Sequence, residues 1–195
     1  MSSKHANKNK KQPTLTINGP TLLTAIRMIL AALVFFFALN VESWAKIVAL
    51  ILFIIAAVTD KLDGVWARKR NLVTDLGSFL DPIADKMLVN LSFLVLTYIH
   101  AIPIWVFAII LVRDLMVDGV RMTLARNGKT IAASNCGKFK TAFQMAAIIF
   151  FLLNNIVNND VLYAISNITL CIALILTAIS GIQYLLDLFK INSEE

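Results

Sequence analysis

From Asp60 to Lys86 the chain reads DKLDGVWARKRNLVTDLGSFLDPIADK, and the spacing within this stretch decides the fold. Asp60, Gly64 and Arg68 recur every fourth residue and Asp63 follows Asp60 by three, so on an α-helix all four share one face. Gly77, Asp81 and Asp85 repeat the four-residue spacing on a second helix. The polar segment from Arg70 to Thr74 reads as a turn, which makes the two helices antiparallel neighbours. Folding about position 72 sets Asp60 opposite Asp85, Asp63 opposite Asp81, and Ala67 or Arg68 opposite Gly77. One end of the hairpin becomes acidic and the other open.

Four carboxylates meeting in one place repel and take up protons unless cations compensate, and a cluster of hard oxygen ligands suits Mg²⁺ or Mn²⁺. Two such ions, about 3.5–4 Å apart and shared by Asp60, Asp63, Asp81 and Asp85, would clamp a phosphoryl or pyrophosphate group. Gly64, Ala67 and Gly77 are small enough to let a nucleotide approach the backbone. Arg68 offers a donor to its phosphate or base. The spacing also admits another reading, in which the aspartates form a proton relay or ion pathway and the glycines serve close helix packing.

Outward from the hairpin the chain is apolar. Of its 195 residues 58% are hydrophobic and 15% charged, with a mean hydropathy of +0.77, which is too apolar for an ordinary soluble domain. A membrane-spanning helix takes about 20 residues, and apolar runs near 21–41, 43–67, 75–99, 101–121, 139–157 and 161–189 supply six. The expected fold is an all-α polytopic membrane protein with six transmembrane helices. Basic residues gather in the first thirteen positions, in 61–70 and in 121–140, whereas the connections near 40–46, 99–103 and 155–161 hold only Lys46. By the positive-inside rule the basic segments and both termini are cytoplasmic. The charged residues inside the spans lie toward the same ends, which implies a cytoplasm-facing polar cavity.

The expected organisation is a basic cytoplasmic tail over 1–13, one membrane domain over 14–190 and a short C-terminal tail over 191–195. Cys136 and Cys171 fall in separate segments without metal-ligand spacing, so neither a disulfide framework nor a zinc site is expected. A second constellation lies downstream. Arg113 and Arg121 are eight apart and stack on one helical face, and Lys138 and Lys140 begin the next helix. Together they suit a phosphorylated alcohol, held by forked arginine donors and lysine point charges. Choline or ethanolamine would call for carboxylates or an aromatic cage instead. Residues 142–195 read as lipid-facing or packing surface, with Asn154, Asn155, Asn158 and Asn159 at a turn.

The hairpin matches the signature D-x2-D-G-x2-A-R-x8-G-x3-D-x3-D of the CDP-alcohol phosphotransferases at every fixed position, and the chain resembles that family over roughly residues 17–145. The likeness is strongest to the phosphatidylglycerophosphate synthases. Asn18-Gly-Pro20-Thr21-Leu-Leu23-Thr24-Ala-Ile-Arg27 looks like the family's amphipathic lead-in, which usually has Asn where this chain has Thr21. Leu80-Asp-Pro82-Ile-Ala84-Asp-Lys86 has the family's usual wording. Arg113-Asp114, Arg121 and Gly137-Lys138-Phe-Lys140-Thr141 resemble its acceptor region, where Glu is more usual at 114.

The resemblance implies six transmembrane helices, a homodimer, and an active site on the cytoplasmic side of a multi-pass protein in a bacterial inner or plasma membrane. It implies two divalent metal ions, Mg²⁺ or Mn²⁺, on Asp60, Asp63, Asp81 and Asp85, with Asp85 also the general base. It adds Pro20 and Thr24 to Gly64, Ala67, Arg68 and Gly77 around the nucleotide. The implied reaction transfers the phosphatidyl group of CDP-diacylglycerol to glycerol 3-phosphate. Inositol phosphate, serine or phosphatidylglycerol are alternative acceptors, and no nucleic-acid partner is expected. From another class, an ion-coupled transporter is disfavoured because the acidic cluster occurs once, without an internal repeat. An inactive scaffold is disfavoured by the intact signature.

Overall fold

A computed structural model describes residues 19–70, 75–126 and 135–193. Those residues form six helices and no strand: α1 (Gly19–Ala38), α2 (Ser43–Arg70), α3 (Asp75–Tyr98), α4 (Ile104–Arg126), α5 (Asn135–Val157) and α6 (Asp160–Ser193). The boundaries follow local chemistry. Pro103 holds back the start of α4, which begins at 104 rather than 101. Asn158 ends α5 in a left-handed conformation with φ 51°, its N–H donating to Asn154 O at 2.8 Å, as Asn does after a helix. Asn159 then caps α6, its side-chain oxygen accepting from the N–H groups of Val161 and Leu162 at 2.9 and 3.1 Å. The asparagine run is thus a stop and a start, as the expected turn requires. The turn proposed over 71–74 and the tail over 1–13 lie outside the described residues.

The packed faces of α1, α2 and α6 carry many small and polar residues, while large apolar side chains also cover the outside. On α6 the buried residues Ser166, Leu170, Ala173, Thr177, Ser180 and Tyr184 alternate spacings of four and three, the seam of a helix packed along its length. On α1, Thr24, Arg27, Ala31, Val34 and Ala38 form the same kind of stripe, and on α2, Ala45, Ala49, Phe53 and Ala56 do so. Large side chains such as Ile29, Phe36, Ile51, Ile109, Met116, Ile168 and Ile182 face outward. Water would oppose this distribution, whereas between helices in lipid small side chains permit close approach and polar ones bond across the seam. Two helical stretches, Cys136–Val157 and Asp160–Leu186, are long and apolar enough to cross a membrane. Among the described residues the apolar stretches Thr24–Ala38, Ser43–Thr59 and Lys86–Tyr98 are shorter.

α1 packs closely against α2 and α3, and α5 against α6, while α2 joins the two groups through α5. The described parts of α2 and α3 touch one another only lightly. Phe53, Leu88, Phe93, Leu96, Ile110, Ile148 and Phe151 fill the centre. Side-chain contacts fix how the ends align. Lys46 on α2 donates to Asn155 O on α5 at 3.3 Å, whereas Lys140, near the start of α5, pairs with Asp114 on α4. The short connections at 39–42, 99–103 and 158–159 therefore gather at one end, away from the charged residues of α3, α4 and α5.

Candidate active site

The aspartate signature divides between two continuous helices. Asp60, Asp63, Gly64, Ala67 and Arg68 lie in the last turns of α2, and Gly77, Asp81 and Asp85 in the first turns of α3. The side chains at these positions, like that of Pro20, lie outside the described residues. Between these positions the described Ala84 and, one turn on, Leu88 are buried. Among the described residues no group of three or more acidic, histidine or cysteine side chains is placed to hold a metal ion. Thr24 and Arg27 on α1 are buried.

Lys86 carries the signature helix into a polar cluster. Its ammonium pairs with the Asp118 carboxylate and donates to Asp114 O at 3.4 Å, joining α3 to α4. Asp114 is the centre of the cluster. It is 6% exposed, and its Oδ1 accepts from Arg113 Nη1 at 3.0 Å and from Lys140 Nζ on α5. Lys140 is itself buried. A charged pair this deep persists because each member satisfies the other, and removing one leaves an uncompensated charge.

The other face of the cluster belongs to α6. Arg113 Nη2 donates to Ser180 Oγ, and Arg121 Nη2 donates to the Tyr184 hydroxyl. The two guanidinium carbons stand 5.9 and 5.0 Å from the centre of the Tyr184 ring, within range for a cation to be attracted by its face. Deeper in, Gln144 Nε2 on α5 lies 3.5 Å from Thr177 Oγ1. Beside Arg113 an apolar groove of about 370 Å³ opens outward between α4 and α6, lined by Ile109, Val112, Met116, Val120 and Leu185 with Arg113 and Tyr184 at one wall.

Three of the four residues expected at the acceptor therefore converge: Arg113, Arg121 and Lys140. Lys138 is exposed, two residues from buried Lys140 and so on another side of α5. The sequence reading missed Asp114 and Lys86 as the links between these cations, and it treated residues 142–195 as packing surface. α6 instead supplies Ser180 and Tyr184. The available signal was the spacing of Ser166, Thr177, Ser180 and Tyr184, hydroxyl-bearing residues on one face of an otherwise aliphatic helix. Cys136 and Cys171 are free thiols, and Cys136 Sγ lies 3.8 Å from Gln183 Nε2.

A sequence model described as CDP-alcohol phosphatidyltransferase matches residues 17–179. The chain is 41% identical over 140 residues to a CDP-diacylglycerol–glycerol-3-phosphate 3-phosphatidyltransferase of Bacillus subtilis, covering 72% of each chain. It is 35% identical over 170 residues to a probable phosphatidylglycerophosphate synthase of Mycobacterium tuberculosis, covering 86% of this chain and 79% of the relative. A 3-phosphatidyltransferase of the same name from Sodalis glossinidius is 35% identical over 188 residues, 90% of this chain and the full length of the relative.

Proposed function

The chain belongs to the CDP-alcohol phosphatidyltransferase family, and we propose that it transfers the phosphatidyl group of CDP-diacylglycerol to glycerol 3-phosphate, giving phosphatidylglycerophosphate and CMP. The observation that carries this reading is the cation cluster tied by Lys86 to the signature helix. Lys86, Arg113, Arg121 and Lys140 supply four positive charges, and Asp114 and Asp118 two negative ones. These cations outnumber the carboxylates paired with them, and an excess of positive charge suits a phosphomonoester, which carries close to two negative charges at neutral pH. The names of the relatives point to the same acceptor.

In the proposed reaction a hydroxyl oxygen of glycerol 3-phosphate attacks the lipid-side phosphorus of CDP-diacylglycerol. The bond from that phosphorus to the bridging oxygen breaks, and the electron pair leaves with CMP. Asp60, Asp63, Asp81 and Asp85 would hold two Mg²⁺ or Mn²⁺ ions, whose charge offsets that building on the pyrophosphate. Asp85 takes the proton from the attacking hydroxyl. Pro20, Thr24, Gly64, Ala67, Arg68 and Gly77 receive the nucleotide. Arg113, Arg121, Lys138 and Lys140 receive the acceptor phosphate, with Lys138 at the exposed approach.

We place the six helices across a bacterial cytoplasmic membrane as a homodimer, with the polar cavity and both termini, including the basic tail over 1–13, on the cytoplasmic side. The domain runs over 14–190 and ends in a short tail over 191–195. The exposed aromatics support this placement: Trp44, Tyr98, Trp105 and Tyr163 all lie at the end of the short connections, where aromatic side chains favour the membrane interface. The test supplies purified protein with CDP-diacylglycerol, Mg²⁺ or Mn²⁺ and labelled glycerol 3-phosphate. Equal amounts of CMP and phosphatidylglycerophosphate are expected, with both lost on chelation and restored by the metal. CMP release with inositol phosphate, serine or phosphatidylglycerol alone would keep the transfer and overturn the acceptor.

A further inference from the structure

Two arginines eight residues apart on α4 meet one side chain of α6. Tyr184 accepts from Arg121 through its hydroxyl and presents its ring to both Arg121 and Arg113, while Ser180, one turn earlier, accepts from Arg113. The α6 backbone is shaped for this. A Cβ at Gly181 would stand 3.3 Å from Arg113 Cγ, so the glycine gives the arginine stem its place between Ser180 and Tyr184. We propose that Tyr184 and Ser180 are positioning residues, which fix the Arg121 and Arg113 guanidiniums toward the acceptor phosphate and so set the affinity for a phosphorylated acceptor. This inference rests on the acceptor reading given under Proposed function.

The physical reason is preorganisation. A guanidinium has five donors in a rigid fork on a long, flexible stem. Laid on a ring with one N–H committed, it loses its freedom before the anion arrives, and its remaining donors keep one direction. The setting of Tyr184 separates it from the other tyrosines. Tyr98 and Tyr163 are 69% and 47% exposed at the far end, whereas Tyr184 is 4% exposed and directed at two cations. A tyrosine kept only for packing or interface anchoring would not need its hydroxyl at an arginine.

The variants Tyr184→Phe, Tyr184→Leu and Ser180→Ala test this in initial rates measured against each substrate in turn. Tyr184→Phe keeps the ring and loses the hydroxyl, and the KM for glycerol 3-phosphate should rise about threefold. Tyr184→Leu loses both and should raise it about tenfold or more, and Ser180→Ala about threefold. The KM for CDP-diacylglycerol should stay within about twofold in all three, since uniform loss of folded protein would move the apparent rate and not this ratio. An unchanged KM for glycerol 3-phosphate, or equal rises in both KM values, overturns the proposal. Calorimetric titration of the detergent-solubilised proteins with glycerol 3-phosphate keeps its failure distinct from failure of the activity reading. Binding weakened by Tyr184→Leu in a protein that turns over no glycerol 3-phosphate overturns the activity alone. Absence of binding to the unaltered protein, or binding the variants leave intact, overturns the positioning role.

Discussion

The α2–α3 region and the α4–α6 region hold their chemistry in different ways. In the first, every functional residue stands three or four positions from another, and helix periodicity alone brings each pair to one face. In the second, the partners are far apart in the chain: 26 residues for Lys140 and Asp114, 63 for Arg121 and Tyr184 and 67 for Arg113 and Ser180. The difference lies in the reach of the side chains. An aspartate projects little beyond the backbone, so a carboxylate cluster has to be set by backbone spacing. Arginine and lysine have long stems, so helices distant in sequence can deliver them to one point and a carboxylate or a ring can fix them there.

The contrast predicts different costs for removing one carboxylate from each region. Asp81→Asn removes a proposed metal ligand and should lower CMP release by several kcal/mol of transition-state stabilisation, about a hundredfold or more. It should do so equally for every acceptor and with little change in thermal stability. Asp114→Asn should act the other way round. It leaves Lys140 and Arg113 without their buried partner, so the loss should fall on stability, about 3–5 kcal/mol, and on the KM for glycerol 3-phosphate. Thermal unfolding in detergent, set beside turnover with saturating acceptor, separates the two. Equal stability losses would break the distinction between a metal-ligand region and a charge-paired one.

A smaller effect sharpens the second half of that comparison. If Asp114 serves mainly to neutralise Lys140, replacing both by Leu should recover much of the stability lost in Asp114→Leu, because the buried charge goes with its partner. Recovery should be partial, since Arg113 also bonds Asp114 Oδ1. Full recovery would mean that Ser180 and Tyr184 suffice for Arg113. No recovery would mean that the volume of the pair, rather than its charge, holds α4 against α5.

Legibility in the sequence followed the same division. The order and extent of the six helices could be read from apolar runs, and the turn over Asn154–Asn159 from its asparagines, because capping is local chemistry. The aspartate signature was readable as spacing. What could not be read was that Lys86 reaches α4 to pair with Asp118, or that α6 is more than packing, because neither pairing has a fixed separation along the chain. Ser166, Thr177, Ser180 and Tyr184 gave a faint sign. In an apolar helix their hydroxyls could equally return to the helix's own carbonyls, as Ser166 does to Leu162 O at 2.8 Å and Thr177 to Ala173 O at 2.6 Å. Only the fold shows which hydroxyls turn instead to an arginine.

Gly181→Ala gives the smallest and most local break of the comparison. The added methyl would meet Arg113 Cγ at 3.3 Å, so the two must separate by a few tenths of an ångström. The stem of Arg113 is flexible and the groove beside it is open, so the arginine should yield rather than the helix. Stability should then change by less than about 1 kcal/mol, as Ala is also the better helix former. Ser180 and Asp114 hold the Arg113 head from opposite sides, and displacement of the stem strains both bonds. The expected outcome is about a twofold rise in the KM for glycerol 3-phosphate with no change for CDP-diacylglycerol, measured as initial rates. The same substitution at Gly119 on α4, where an added Cβ meets nothing within 4 Å, should leave both values unchanged. A rise at 119 equal to that at 181 would mean that glycine in these helices serves flexibility, and that the Arg113 seat on α6 does not set acceptor affinity.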